Sequence, residues 1–269
     1  MKKGIKKFSA FLIAACIAST MVSSVSAESI SRKTEQHNII AYLRSFDFSA
    51  CYESETLGQD VKENLKKVEN YISQNENPSL QELNGIVGKI EETNAPITRA
   101  AASYDYSKYL PVSEDQLNSK EKEIFNQNPV AGLIVLIQAD YANRSEKGVF
   151  GSNSWGTNGD AYRHSLWNAM AVEGVGDSYM AAFATAHETG SPGYDPNSID
   201  TQMDLRNNAK GRELYKTMEF PSRPPNGMTI TYIIRNEIAK AVADGKMVRF
   251  VSGGKQYSYL MPTNSSSQN

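Results

Sequence analysis

Residues Gly159–Met170 read GDAYRHSLWNAM, which places Asp, Arg, His, Trp and Asn within about three helical turns. A surface helix of a globular protein carries Lys and Glu on one side and large aliphatic residues on the other. This stretch has an apolar rear face, but its polar positions are filled by side chains that make fixed hydrogen bonds or bind metals. On a helix, Asp160 and His164 are four residues apart and share a face, and Asn168 continues that face one turn on. The spacing predicts a helix that buries one side and presents a polar site on the other.

Two further segments carry the same kinds of residue. AAFATAHETG ends an Ala-rich helix with His187 and Glu188, and its small residues allow another helix to approach closely. MDLRNNAKGREL sets Asp204 and Asn208 four apart, with Arg212 a further turn along the stripe. The chain has three histidines, and His164 and His187 both fall in these segments. Three helices can therefore direct His164, His187 and Asp204 at one spot, as the ligands of a divalent metal with a position left for water. Such an ion lowers the pKa of its water towards neutrality. In that arrangement Glu188 is the candidate general base, and Arg212 or Arg163 is the candidate anchor for an anionic substrate. Asp160, Asn168, Asn207 and Asn208 form the next layer, with Asp160 orienting His164. Two imidazoles and a carboxylate favour zinc, whereas added amide oxygens favour manganese or calcium. The competing expectation is a buried hydrogen-bonded network that fixes helix register without chemistry.

The three segments, in this order, resemble an uncharacterised family of bacterial, often secreted, helical domains. Its members carry G-D-A-[FY]-R-H-x-x-W-N, A-H-E and M-D-L-x-N-N-x-x-G-R. The resemblance spans roughly residues 120 to 255 and implies a shared site, but no particular reaction. A looser likeness is to HD-type metal phosphohydrolases, which place a His, a His-Asp pair and a further Asp on successive helices. Here Glu188 stands where that pair has Asp.

Outside the motifs the chain reads as mainly α. MKKGIKK, the apolar run that follows and SSVSA have the layout of a secretory signal over residues 1–27. A lipoprotein reading, with an anchored Cys16, is the minority alternative. Removal of the leader leaves Cys51 as the one cysteine, so stability has to come from the core. Residues 28–100 show helical spacing at Ile39, Ile40, Leu43 and Phe46, and again at Val61, Leu65, Val68 and Ile72. Ser79 and Glu82 have capping-box spacing, and the region is expected to form a helical hairpin or small bundle. A linker near residue 100 separates it from a compact helical domain over 101–260, which closes in a small β-hairpin around Gly253-Gly254. Residues 261–269 are expected to be a disordered tail.

With 28 Lys and Arg against 30 Asp and Glu, no basic excess points to nucleic acid. VAGLIVLI (130–137) is too short to span a bilayer, so no lasting transmembrane helix is expected. No P-loop or dinucleotide glycine pattern is present, and neither Ser165 nor Cys51 has a convincing partner base. Two function classes follow. One is a secreted metal-dependent hydrolase acting on a phosphoester, a phospholipid or another cell-envelope component. The other is a non-catalytic secreted binding or interaction domain whose polar cluster is structural.

Overall fold

A computed structural model of the chain describes residues 39–90, 112–151, 154–220 and 229–265. The expected leader with Cys16, the expected linker near residue 100 and residues 266–269 of the expected tail lie outside them. The described residues are mainly helical. Residues 39–45 form α1, followed by α2 (Ser49–Tyr52), α3 (Gln59–Gln74) and α4 (Leu80–Val87). After a 3-10 turn come α5 (Ser119–Gln127), α6 (Pro129–Phe150), α7 (Asn158–Val175), α8 (Asp177–Thr189), α9 (Ile199–Thr217) and α10 (Ile230–Ala243). The chain closes in an antiparallel hairpin, β1 (Val248–Ser252) and β2 (Lys255–Pro262).

Local chemistry sets the helix boundaries. In α4, Ser79 accepts from Glu82 N at 3.2 Å and the Glu82 carboxylate accepts from Ser79 N at 3.3 Å, a reciprocal capping box. Asn118 and Glu121 build a second one at α5. Asn128 caps α6 and Pro129 occupies its first turn, where the missing N–H is not needed. Gly253 and Gly254, both at positive φ, form the hairpin turn.

Helices α6 and α7 are the centre of the molecule. The run Val130–Ile137 is buried on every side of α6, and nearly all of α7 is buried, with Arg163 and Glu173 as half-exposed exceptions. Helices α6, α8, α9, α10 and strand β1 pack around α7. The N-terminal hairpin of α3 and α4 lies against α6. Its Val61, Leu65, Val68 and Leu83 belong to the same core as Ile134, Leu166, Phe183 and Phe250. Polar ties cross the same boundary. Ser54 and Thr56 donate to the buried Asp140 at 3.0 and 2.5 Å, and Asn84 Oδ1 accepts from Val130 N at 2.9 Å.

Helices α7 and α9 approach to backbone contact. A Cβ placed on Gly211 would overlap the carbonyl oxygen of Ser165, a backbone atom that cannot turn aside. Overpacking a rigid contact costs about 1–3 kcal/mol. Gly211→Ala is expected to destabilise the protein by about 3 kcal/mol in denaturant titration. A loss below about 0.5 kcal/mol would show that α9 slides freely over α7.

Candidate metal centre

Three helices bring the motif residues to one place. Asp160 lies in the first turn of α7, where the helix dipole favours a carboxylate. His164 follows one turn on, and α9 contributes Asp204 and Asn208 on a single stripe. Glu188 arrives from the end of α8. Among the described residues, Asp160, His164 and Asp204 each offer a ligand atom, and these atoms lie within 4.8 Å of one another. His164 Nε2 is 3.3 Å from Asp204 Oδ1 and 3.6 Å from Asp160 Oδ1. On the other edge of the ring, His164 Nδ1 is 3.2 Å from Asn208 Oδ1 and 3.6 Å from Glu188 Oε1. The residues are 1% (Asp160), 3% (His164) and 8% (Asp204) exposed.

Each carboxylate has a different set of partners. Asp160 accepts from Gly156 N at 2.7 Å and from the Arg163 guanidinium. Arg163 also pairs with the buried Glu146 of α6 at 3.0 Å. Glu188 accepts from Asn208 Nδ2 at 2.8 Å. Asp204 Oδ1 is buried and receives no hydrogen bond. Two like charges at this separation repel by about 3–4 kcal/mol at an effective dielectric near 20. The electrostatics follow from that crowding. Burial, and then the charges of Glu188, Asp160 and Asp200, push Asp204 well above the usual carboxylate range. Burial raises Glu188 as well. Burial, reinforced by the Arg163 charge, drives the His164 imidazole down to about 3, so the ring is neutral at physiological pH.

Not every predicted residue points inward. Sequence reading placed His187 among the ligands and Asp160 in the next layer. In the structure Asp160 joins His164 and Asp204, whereas His187 Nδ1 sits 2.7 Å from Glu121 Oε1 and its ring meets the edge of Trp167. Consecutive helical residues do not share a face, so His187 and Glu188 cannot both reach the seam between α7 and α9. The same rule separates Asn207 from Asn208. Asn208 enters the site, while Asn207 bonds the backbone of Val248 through Nδ2 at 2.9 Å and Oδ1 at 3.0 Å, holding β1. The two arginines expected to face an anionic substrate are engaged within the fold. Arg163 lies between Asp160 and Glu146. Arg212 donates to Asn168 Oδ1 at 2.7 Å and pairs with Asp177 at 3.4 Å.

Sequence reasoning missed Glu121, Glu146 and Gly156. Glu146 did leave a trace, because Gln138, Ala142 and Glu146 form one buried stripe of α6, and a carboxylate on an inward stripe demands a partner. Gly156 stands at φ +70°, and a Cβ there would press on Phe250 and Val251.

Residues 122–246 match a family model described as a domain of unknown function, DUF6973. It is an uncharacterised family, in keeping with the three motifs, and the match takes in Asp160, His164, Glu188, Asp204 and Asn208. No curated protein and no solved structure matches the chain, and nothing in these comparisons supports the likeness to HD-type phosphohydrolases.

The crowding of acids makes a direct prediction. In chelator, Asp204→Asn removes an acid whose raised proton affinity opposes folding at neutral pH, where the unfolded chain leaves it ionised, and supplies a donor to His164 Nε2 or Asp160. It is expected to stabilise the protein by about 1 kcal/mol, or roughly 2–4 °C in melting temperature. A fall in melting temperature on this substitution would show that the buried acids are already balanced.

Proposed function

We propose that the protein is built around one divalent cation held by Asp160, His164 and Asp204. The observation that carries this reading is the orphaned, buried Asp204 Oδ1, aimed at a neutral imidazole and a second carboxylate. Buried carboxylates are stable when paired or when they coordinate a metal, and Arg163 is shared with Glu146. Two carboxylates with one imidazole form a harder donor set than the two-histidine set expected from sequence. That shifts the preference from zinc towards manganese or calcium.

In its catalytic form, the proposal is an exported hydrolase acting on a phosphoester, a phospholipid or another cell-envelope component. The cation, when bound, supplies Lewis acidity. Glu188 supplies the acid/base group, since its raised proton affinity places it nearer the working pH than an ordinary carboxylate. The signal-like N-terminus supports export, and among the described residues no helix is long and apolar enough to cross a membrane.

In its non-catalytic form, the proposal is an exported binding or interaction domain that the cation stabilises. Closure of the site favours this form, because structural metal sites are enclosed and catalytic ones keep an open position.

Titrating Mn²⁺, Ca²⁺ and Zn²⁺ into metal-free protein tests the proposal. At about a hundredfold excess over Kd, a bound ion should add about 2.7 kcal/mol of stability. Asp204→Asn and His164→Gln should remove that gain. If none of the three ions raises the melting temperature, the cation reading is overturned. Glu188→Gln separates the two forms. The catalytic form requires it to keep the cation-induced stabilisation while losing about a hundredfold or more in rate. A cation-loaded wild type that cleaves nothing in a panel of phosphoesters, phospholipids and envelope polymers establishes the non-catalytic form.

A further inference from the structure

We infer that Asn208, oriented by Asn168 and Arg212, is a positioning residue that fixes His164 as its Nδ1–H tautomer and so makes Nε2 the ligand atom. The argument is one of hydrogen-bond polarity along a chain of four side chains. A guanidinium only donates. Arg212 Nη1 lies 2.7 Å from Asn168 Oδ1, so that oxygen accepts and the Asn168 amide is oriented. Asn168 Nδ2 then donates in two directions, to the His164 carbonyl at 3.1 Å and to Asn208 Oδ1 at 2.7 Å. The carbonyl only accepts, so it confirms the same orientation from the opposite side. With its oxygen turned to Asn168, Asn208 directs Nδ2 to Glu188 Oε1 at 2.8 Å.

The consequence falls on His164. Its Nδ1 faces Asn208 Oδ1 at 3.2 Å and must donate, because a lone pair there would meet another lone pair. A neutral imidazole carries one N–H. The lone pair therefore sits on Nε2, which faces Asp204 Oδ1 at 3.3 Å and Asp160 Oδ1 at 3.6 Å. With both carboxylates ionised, the three atoms that converge are all acceptors, an arrangement that a cation satisfies. Arg212, read from sequence as a substrate anchor, instead acts through two amides to present a ligand. Its own partners, Asp177 and Asn168, hold it at the edge of α8 and α9, where its side chain is 16% exposed.

The assignment of the tautomer stands on the hydrogen-bond chain alone. The assignment of Nε2 as ligand atom rests on the cation reading proposed above. Both are tested with ¹⁵N-histidine-labelled full-length protein, in which three imidazoles have to be assigned, by long-range nitrogen–proton correlation in chelator at neutral pH. The wild type is expected to show His164 with Nδ1 protonated and Nε2 bare, and Mn²⁺ or Zn²⁺ should perturb the Nε2 signal. Asn208→Asp keeps the acceptor and should keep the tautomer. Asn208→Leu removes the acceptor and should admit the Nε2–H form, with cation affinity falling about 10- to 100-fold. The His187 signals serve as the control that the fold is unchanged. An Nε2–H tautomer in the wild type overturns the inference, whatever the variants do and whether or not they fold. An Nδ1–H tautomer in a protein that binds no cation leaves the positioning role standing and overturns the cation reading.

Discussion

The contact between Gly211 and the Ser165 carbonyl governs much of what surrounds it. It brings α9 against α7 without an intervening layer of side chains, so the polar stripes Asp160–His164–Asn168 and Asp204–Asn208–Arg212 interlock instead of lying on separate surfaces. A helix as fully enclosed as α7 cannot leave polar side chains to water. Each must find a partner on a neighbouring helix, or the fold carries a penalty of about 1–3 kcal/mol for every unmet group. The partners are correspondingly varied: a backbone carbonyl of α6 for Trp167, an amide of α9 for His164, an arginine of α9 for Asn168.

Electrostatics then separates this seam from an ordinary polar network. Networks of amides and hydroxyls satisfy themselves with no net charge. Here Asp160, Asp204 and Glu188 crowd a neutral ring, and Arg163 is divided between Asp160 and Glu146. The amides do not relieve the crowding. By orienting His164 they turn its lone pair towards the carboxylates, so hydrogen bonding and charge both leave a place for positive charge at Nε2. Burial, and then the charges of Glu188, Asp160 and Asp200, raise Asp204 far above its ordinary range, so a proton there is a smaller means of relieving the same crowding.

How much of this was legible in the sequence depends on distance along the chain. Spacings of four residues gave the two stripes, the capping box at Ser79 has a local signature, and Gly253-Gly254 marked the hairpin. The mainly helical class followed from the same periodicity. The rotation of a helix about its axis did not follow, and that decides between neighbours. His187 and Glu188, or Asn207 and Asn208, are equally plausible on paper, and packing turns one of each pair inward. Pairings between distant residues, such as Glu121 with His187 or Glu146 with Arg163, leave no local pattern. Gly156 left no signal of its own because its role is set by Phe250, far along the chain.

That last pairing ties the C-terminal hairpin to Asp160. Gly156 O accepts from Phe250 N at 2.9 Å and from Val251 N at 2.8 Å, at the irregularity in register between Arg249 and Val251. The N–H of the same glycine donates to Asp160. The hairpin therefore holds the loop that holds the carboxylate, while Asn207 clamps β1 to α9 one residue from the amide that orients His164. Disturbing the hairpin disturbs Asp160 and α9 together, although no hairpin residue belongs to the converging group. A cation that draws Asp160, His164 and Asp204 together would in turn fasten β1 between α7 and α9. Were a cation bound, occupancy of the centre and order in the C-terminal hairpin would be linked through these contacts, as binding and local stability are wherever a ligand selects the ordered state.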